Sequence, residues 1–291
     1  MVMRNSQVLI ASIAAFALVS IQPGCQSAPG NQPAAASSAP QPVASLGFAS
    51  GLCWCPSTTA DGRWAILLPG ASGLKIFEDD GHYFRAADAL NANGFDVLVI
   101  DYKRAYKAAP NRPDVTTGKK IAWVVEQALA WARKERKITP DSPGAVVAWS
   151  LGAEGLWPML PDGDKVSSLG IKAAATYYPS NEESTPIATS VPLLIFAGGR
   201  DDVTPVAHTQ RLVHAANSTL IQLHIYPGAN HGFDIITIQP SKTVRLLPLI
   251  GPSGTFGYDK AAADDAWVRL GSFLDQQVHV PASSPKVKAS R

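Results

Sequence analysis

The chain has 291 residues, of which 46% are hydrophobic and 16% charged, and its formal net charge is +2. This length is sufficient for one large α/β domain with a full hydrophobic core. The nearly balanced charge gives no reason to expect a nucleic-acid partner, and no stretch after residue 25 is apolar and long enough to span a bilayer.

The first 25 residues have the composition of an export signal. Arg4 precedes an apolar run over residues 8–21 that is rich in Ala and Ser and too short for a comfortable membrane span. We therefore predict that residues 1–25 are a signal peptide. The protein would then be exported to the periplasm or cell envelope, or otherwise secreted.

Cys25 ends a segment, residues 22–25, that resembles the lipobox of bacterial lipoproteins. Gly24, the small residue before the cysteine, fits that motif, whereas Gln22 and Pro23 depart from it. Two interpretations stay open: a lipid on Cys25 attaches the protein to a membrane, or the signal is cleaved elsewhere and the thiol stays unmodified. Residues 26–45 are rich in Ala, Pro, Ser and Gln, and we predict that they form a flexible tether.

From residue 46 to residue 279 the chain alternates apolar, β-prone runs with helical patterns. The predicted strands cover 64–69, 95–101, 145–149, 173–178, 192–197 and 220–226, and the predicted helices cover 83–93, 117–137, 151–160, 205–216 and 261–277. Several strands are apolar on both faces, as expected where helices cover both sides. The pattern predicts one α/β domain with a doubly wound, mostly parallel sheet and helices on both faces, followed by a disordered tail over 280–291.

The most informative motif is Ala148-Trp149-Ser150-Leu151-Gly152, between a predicted strand and a predicted helix. Strand, small-x-Ser-x-Gly and helix are the context of a nucleophile elbow, in which a sharp turn projects the serine hydroxyl above the sheet edge. Ala148 stands where such motifs usually have glycine. The alternative interpretation is that Ser150 is a buried N-cap.

Two further candidates also follow predicted strands. Asp201 lies in the turn after strand 192–197, and His231 lies in a loop rich in Gly and Asn after strand 220–226. Serine, acid and histidine in this chain order are typical of α/β-hydrolases and not of the chymotrypsin or subtilisin types. We predict that His231 is the general base for Ser150 and that Asp201 orients its imidazole. A turn role for Asp201 and a surface position for His231 are the alternatives.

A tetrahedral oxyanion needs two preorganised hydrogen-bond donors. We predict the backbone N–H of Leu151, directly after the nucleophile, and that of Ala71, in the loop after the first predicted strand, with Ser72 beside it. His82, at the start of a helix near that loop, and Tyr178, at the end of a strand, are candidates for lining the substrate site. Ordinary connecting roles are about equally compatible with the sequence.

Cys53 and Cys55 flank Trp54 and lack the strand-turn-helix context of a nucleophile. A Cys-x-Cys disulfide would close a very small, strained ring, so we expect two buried or partly oxidised thiols without a catalytic part. The sequence contains no clustered Cys and His residues, and we predict no metal site.

Together these motifs resemble the dienelactone hydrolase family of α/β-hydrolases. The segments that carry the resemblance are 69–74, 94–102, 148–152, 198–205 and 226–233, with 258–267 resembling the closing helix of the family. The resemblance covers about residues 60–277 and implies an α/β-hydrolase fold with no metal or organic cofactor.

The chain departs from the namesake enzymes at two positions. They use a cysteine nucleophile where this chain has Ser150, and they carry a glutamate where it has Gly70. The resemblance therefore implies a serine esterase that acts on some other small-molecule carboxylic ester or lactone. The alternatives are a peptidase-like or acyl-transferring enzyme of the same fold, and a non-catalytic binding module of the cell envelope.

Overall fold

The structure, a computed structural model, describes residues 47–135, 137–181, 186–245 and 253–280. The predicted signal peptide with Cys25, the tether and nearly all of the predicted tail lie outside the described residues. No helix within these ranges is long and apolar enough to cross a membrane.

Within the described ranges, seven strands form one sheet at the centre of the domain. In chain order they are β1 (Leu52–Cys55), β2 (Trp64–Leu68), β3 (Asp96–Ile100), β4 (Gly144–Trp149), β5 (Ile171–Tyr177), β6 (Leu193–Gly198) and β7 (Ile221–Tyr226). The spatial order is β1-β3-β2-β4-β5-β6-β7, in which β1 is antiparallel to β3 and every other pair is parallel. The predicted mostly parallel sheet is confirmed. The short β1, which carries Cys53 and Cys55, was not predicted, and two strands separate it from β4.

Helices cover both faces of this sheet. The α-helices are α1 (His82–Ala92), α2 (Tyr102–Ala108), α3 (Thr117–Lys134), α4 (Gly163–Ser168), α5 (Val206–Ala216) and α6 (Lys260–Gln277). Successive side chains of a strand point to opposite faces. Ala65 and Leu67 of β2 therefore join the core beneath α1 and α6. Ile66 and Leu68 join the separate core beneath α3. This alternation explains why the strands are apolar on both faces, and it confirms the doubly wound fold.

The segment after β4 differs from the predicted helix over 151–160. Ser150–Gly155 forms a short 3₁₀ helix, and turns follow it. Glycine is a poor helix former, and Pro158 lacks the N–H that a continuing helix needs. Gly152 also lies directly against the end of β2: a Cβ on Gly152 would be 2.5 Å from the carbonyl oxygen of Leu68.

A two-stranded antiparallel hairpin was also not predicted. It consists of β8 (Lys242–Arg245) and β9 (Ser253–Phe256). Phe256 at the end of β9 forms a bridge with His231, and Gly257 donates its N–H to the carbonyl oxygen of His231 at 3.1 Å. The hairpin is therefore attached to the loop that carries the predicted base.

Candidate active site

Ser150 occupies a strained turn at the carboxyl end of β4. Its φ is +48°, in the left-handed region that side chains other than glycine rarely adopt. Such a conformation costs on the order of 1–3 kcal/mol and persists where the surrounding structure enforces it. Two residues further on, Gly152 packs against the end of β2, where a Cβ on it would lie 2.5 Å from the carbonyl oxygen of Leu68.

A chain of hydrogen bonds joins the three predicted catalytic side chains. His231 Nε2 lies 3.1 Å from Ser150 Oγ, and His231 Nδ1 lies 2.8 Å from Asp201 Oδ2. The side chains of His231 and Asp201 are 4% and 1% exposed, so this hydrogen bond is shielded from water. Ser150 and His231 are 81 positions apart in the chain, and Asp201 and His231 are 30 positions apart. They meet because β4, β6 and β7 all end at the same edge of the sheet.

The carboxylate of Asp201 is held on both oxygens. Oδ1 accepts hydrogen bonds from the N–H groups of Val203 and Thr204 at 2.9 and 2.8 Å, and Thr204 Oγ1 lies 2.9 Å from Oδ2. The adjacent Asp202 faces away from the imidazole and accepts two hydrogen bonds from Thr255 of the hairpin. Asp201, and not its neighbour, is therefore the carboxylate that can orient His231.

The loop after β2 lies directly beside Ser150. A Cβ on Gly70 would be 3.3 Å from the Cβ of Ser150, so a side chain at position 70 would face Ser150. Gly70 donates its N–H to the hydroxyl of Tyr83 at 2.9 Å, and Lys103 Nζ donates to the carbonyl oxygen of Ala71. These contacts hold the loop in place from two helices, α1 and α2.

The two N–H groups predicted to bind an oxyanion belong to Leu151 and Ala71. Neither N–H donates to a backbone carbonyl oxygen within the described part of the chain. Ser72, the next residue of the loop, is exposed.

Tyr178 and His82 are both buried. The ring of Tyr178 lies 4.4 Å from that of His231, centroid to centroid, and its hydroxyl donates to Asp234 at 2.7 Å. His82 lies on α1 and packs its ring edge-on against Trp149. Their predicted contact with substrate stays a prediction, because the described contacts of both side chains are with protein.

Sequence reasoning missed two polar residues of this site. Thr204 lies inside a segment singled out for Asp201, and Asp234 follows the predicted base by three positions. Asp234 is 3% exposed and stands in an otherwise apolar stretch, Phe233-Asp234-Ile235-Ile236. A lone carboxylate among apolar residues after a loop histidine was the signal that could have identified it.

No group of three or more His, Cys, Asp or Glu side chains among the described residues is arranged to hold a metal ion. The arrangement consists of a serine hydroxyl, an imidazole, a carboxylate and backbone N–H groups. These groups are the ones that acyl transfer through a serine requires.

The sheet order and the strand-end placement of these side chains define an α/β-hydrolase fold. A solved structure from Klebsiella pneumoniae, assigned as a dienelactone hydrolase, superposes with a TM-score of 0.56 at 16% identity, over 79% of this chain and 97% of that one. Esterase 2 of Thermogutta terrifontis, solved after phosphorylation by paraoxon, superposes with a TM-score of 0.51 at 18% identity, over 77% of this chain and 88% of that one.

Within this fold, residues 164–278 match the model of the dienelactone hydrolase family, which confirms the predicted resemblance. The match includes Asp201 and His231. Two uncharacterized proteins, from two strains of Mycobacterium tuberculosis, are each 29% identical over 164 residues, which are 50% of this chain and 56% of theirs. The chain thus spans about half the length of the curated relatives it matches.

Proposed function

We propose that this protein is a serine hydrolase that cleaves carboxylic esters or lactones of small molecules through an acyl-Ser150 intermediate. The observation that carries the proposal is the continuous hydrogen-bonded chain from Ser150 through His231 to Asp201, with the serine on a strained turn at a strand end. The similarity to the dienelactone hydrolase family over residues 164–278 supports the same class of reaction.

The proposed first step is attack by Ser150 Oγ on the carbonyl carbon of the substrate. His231 Nε2 accepts the hydroxyl proton as the Oγ–C bond forms, and it returns this proton to the alkoxide that leaves. Asp201 accepts the Nδ1–H of the same ring, which fixes the tautomer and stabilises the imidazolium. Water then attacks the acyl-serine by the same route in reverse, releasing the acid and restoring the serine.

The negative charge of the tetrahedral intermediate requires donors that are in place before the reaction. The N–H groups of Leu151 and Ala71 are the proposed pair, since the loop that carries Ala71 lies against Ser150 and is held by side chains of two helices. This mechanism calls for no metal or organic cofactor.

Gly70 argues against the reaction of the family's namesakes. The glutamate of those enzymes would project from this position toward Ser150, because a Cβ built on Gly70 would lie 3.3 Å from the Cβ of Ser150. This chain has no side chain there. With a serine nucleophile and no such glutamate, general ester or lactone hydrolysis is the better supported reaction.

Covalent labelling tests the proposal directly. We expect a fluorophosphonate probe or paraoxon to modify the protein with one adduct, found by mass spectrometry on the peptide that contains Ser150. Ser150→Ala is expected to abolish both the adduct and the hydrolysis of short-chain p-nitrophenyl esters, whereas His231→Ala should lower kcat/KM by at least roughly 100-fold. Ser168→Ala, which alters an exposed serine of α4, is the matched control.

The outcomes separate the alternatives. Equal labelling of wild type and Ser150→Ala would overturn the acyl-serine mechanism, and a wild-type protein that neither labels nor hydrolyses any ester or lactone would indicate the binding module. Labelling with activity on amides or acyl acceptors alone would indicate the peptidase-like or acyl-transferring alternative.

We further propose that the protein is exported, on the basis of the composition of residues 1–25, and that Cys25 is a candidate for a lipid anchor.

A further inference from the structure

A second buried carboxylate, Asp234, lies beneath the candidate triad and takes no part in the proposed proton transfers. It accepts a hydrogen bond from Trp149 Nε1 at 2.8 Å and another from the hydroxyl of Tyr178 at 2.7 Å. Its side chain is fully buried. A buried carboxylate is tolerated only where donors satisfy it, so these two hydrogen bonds are a built feature of the core.

The two donors belong to the two strained turns of the site. Trp149 immediately precedes Ser150, whose φ is +48°, and Tyr178 itself has a φ of +37°. These turns end the neighbouring parallel strands β4 and β5. Left-handed backbone at non-glycine residues persists only where surrounding contacts impose it. Asp234 supplies one such contact to each turn from a single side chain.

Tyr178 extends the influence of Asp234 to the imidazole. Its ring packs on the ring of His231 at a centroid distance of 4.4 Å, tilted by 56°. Its carbonyl oxygen lies 3.2 Å from Thr204 Oγ1, the hydroxyl that also lies beside the carboxylate of Asp201. Asp234 is thus connected to the nucleophile through Trp149 and to the base through Tyr178.

The protonation states of the neighbours fit this arrangement. Burial, reinforced by the nearby charge of Asp234, raises the pKa of the Tyr178 hydroxyl well above its ordinary value, so it remains a donor at neutral pH. Burial lowers the pKa of His82, whose Nε2 lies 3.6 Å from Asp234 and has no hydrogen-bond partner among the described residues. At 3.6 Å, His82 Nε2 lies beyond hydrogen-bond distance of Asp234, whose two oxygens accept from Trp149 and Tyr178.

We propose that Asp234 is a positioning residue of this active site. Through Trp149 it holds the turn of Ser150, and through Tyr178 it holds the ring on which the imidazole of His231 packs. This inference rests on the proposed function, since it assigns Asp234 a role in the reactivity of Ser150 and His231. It predicts that loss of the carboxylate slows the chemical step without weakening substrate binding.

The central variant is Asp234→Asn, which keeps the volume and removes the charge. Trp149 and Tyr178 donate to different oxygens of Asp234, and the asparagine amide replaces one of these acceptors with an NH2 donor, so one turn loses its restraint. We expect kcat for a short-chain ester to fall about 10- to 100-fold, because hydrogen bonds to a charged acceptor are stronger than those to a neutral one. KM should stay within about two-fold of the wild-type value, because the loss is confined to the transition state. The second-order rate of fluorophosphonate labelling should fall in parallel. Asp264→Asn, an exposed carboxylate on α6, is the matched control.

Tyr178→Phe and Trp149→Phe each remove one donor and keep a ring, and they carry the test if Asp234→Asn does not fold. At least one is expected to lower kcat by about 10-fold at unchanged KM. In the double variant of Asp234→Asn and Tyr178→Phe, the fold decrease in kcat should be smaller than the product of the fold decreases of the two single variants. The reason is that both changes act through one hydrogen bond.

Values of kcat within about two-fold of wild type for Asp234→Asn, or for both ring variants, would overturn the inference while leaving the proposed function intact. A KM increase at constant kcat would overturn it as well, because it would assign Asp234 to substrate binding. A wild-type enzyme without ester hydrolysis or labelling would instead overturn the proposed function, and this inference with it.

Discussion

At the residue scale, the site depends on a few hydrogen bonds that keep an acidic group, an imidazole and a hydroxyl in line. Thr204 is the least conspicuous of these contributors. Its N–H binds one oxygen of Asp201, and its hydroxyl lies within hydrogen-bond distance of the other oxygen and of His231 Nδ1. The hydroxyl therefore limits the positions that the carboxylate and the ring can adopt.

Replacement of this hydroxyl tests its contribution. Thr204→Val keeps the branched shape and the backbone donor but removes the donor to Asp201 Oδ2. We expect kcat/KM for ester hydrolysis to fall about 10-fold, since a hydrogen bond to a charged group contributes about 1.5–3 kcal/mol. Steady-state kinetics beside Thr243→Val, an exposed threonine of β8, measures this, and equal rates for both variants would remove Thr204 from the site.

At the element scale, the strained turn of Ser150 lies where β2, β4 and the 3₁₀ helix approach one another closely. Gly152 is the point of closest approach: a Cβ there would lie 2.5 Å from the carbonyl oxygen of Leu68 and 2.7 Å from that of Pro69. Both atoms belong to the backbone, so neither can rotate away as the end of a side chain could. A side chain at this position would therefore require the backbone of β2 or of the turn to shift.

Gly152→Ala is therefore expected to lower the free energy of unfolding by about 1–3 kcal/mol and to disturb the serine turn. The measurement is urea unfolding, combined with ester hydrolysis. Gly228→Ala is the matched control, because a Cβ on Gly228 meets no atom within 4 Å, and it should stay within about 0.5 kcal/mol of wild type. A Gly152→Ala protein as stable as this control would contradict the close packing.

At the scale of the whole molecule, one α/β domain follows a sequence that we interpret as a signal peptide and tether. The described domain begins at residue 47 and has its own two-faced core. The interpretation of Cys25 has a consequence for where this domain is found. A lipid on its thiol would hold the domain at a membrane surface through residues 26–45.

The Cys25→Ala variant distinguishes the two interpretations of this cysteine. If a lipid anchors the protein, the wild type should sediment with the membrane fraction, and the variant should appear in the soluble exported fraction with full esterase activity. Fractionation followed by immunoblotting measures this, with Cys53→Ala as the control for thiol loss. Identical distributions of wild type and Cys25→Ala would exclude the lipid anchor.

Much of this architecture could be predicted because its signals are local. Fully buried strands such as β4 and β6 leave continuous apolar runs, and α3 leaves a 3.6-residue period of apolar positions. The elements that escaped prediction have weaker local signals: β1 is four residues long, and the segment after Ser150 has apolar residues but too many glycines and a proline for an α-helix.

The sequence by itself determined the alternation of strands and helices and the chain order of Ser150, Asp201 and His231, because each polar candidate directly follows an apolar run. Only the tertiary structure decided that Asp234 binds Trp149 and Tyr178, which lie 85 and 56 positions away in the chain. It also decided that Gly70 faces Ser150 and that Tyr178 lies under the imidazole. The physical reason is that a hydrogen bond between distant residues leaves no periodic pattern in a sequence, whereas the burial of a strand or of a helix face does.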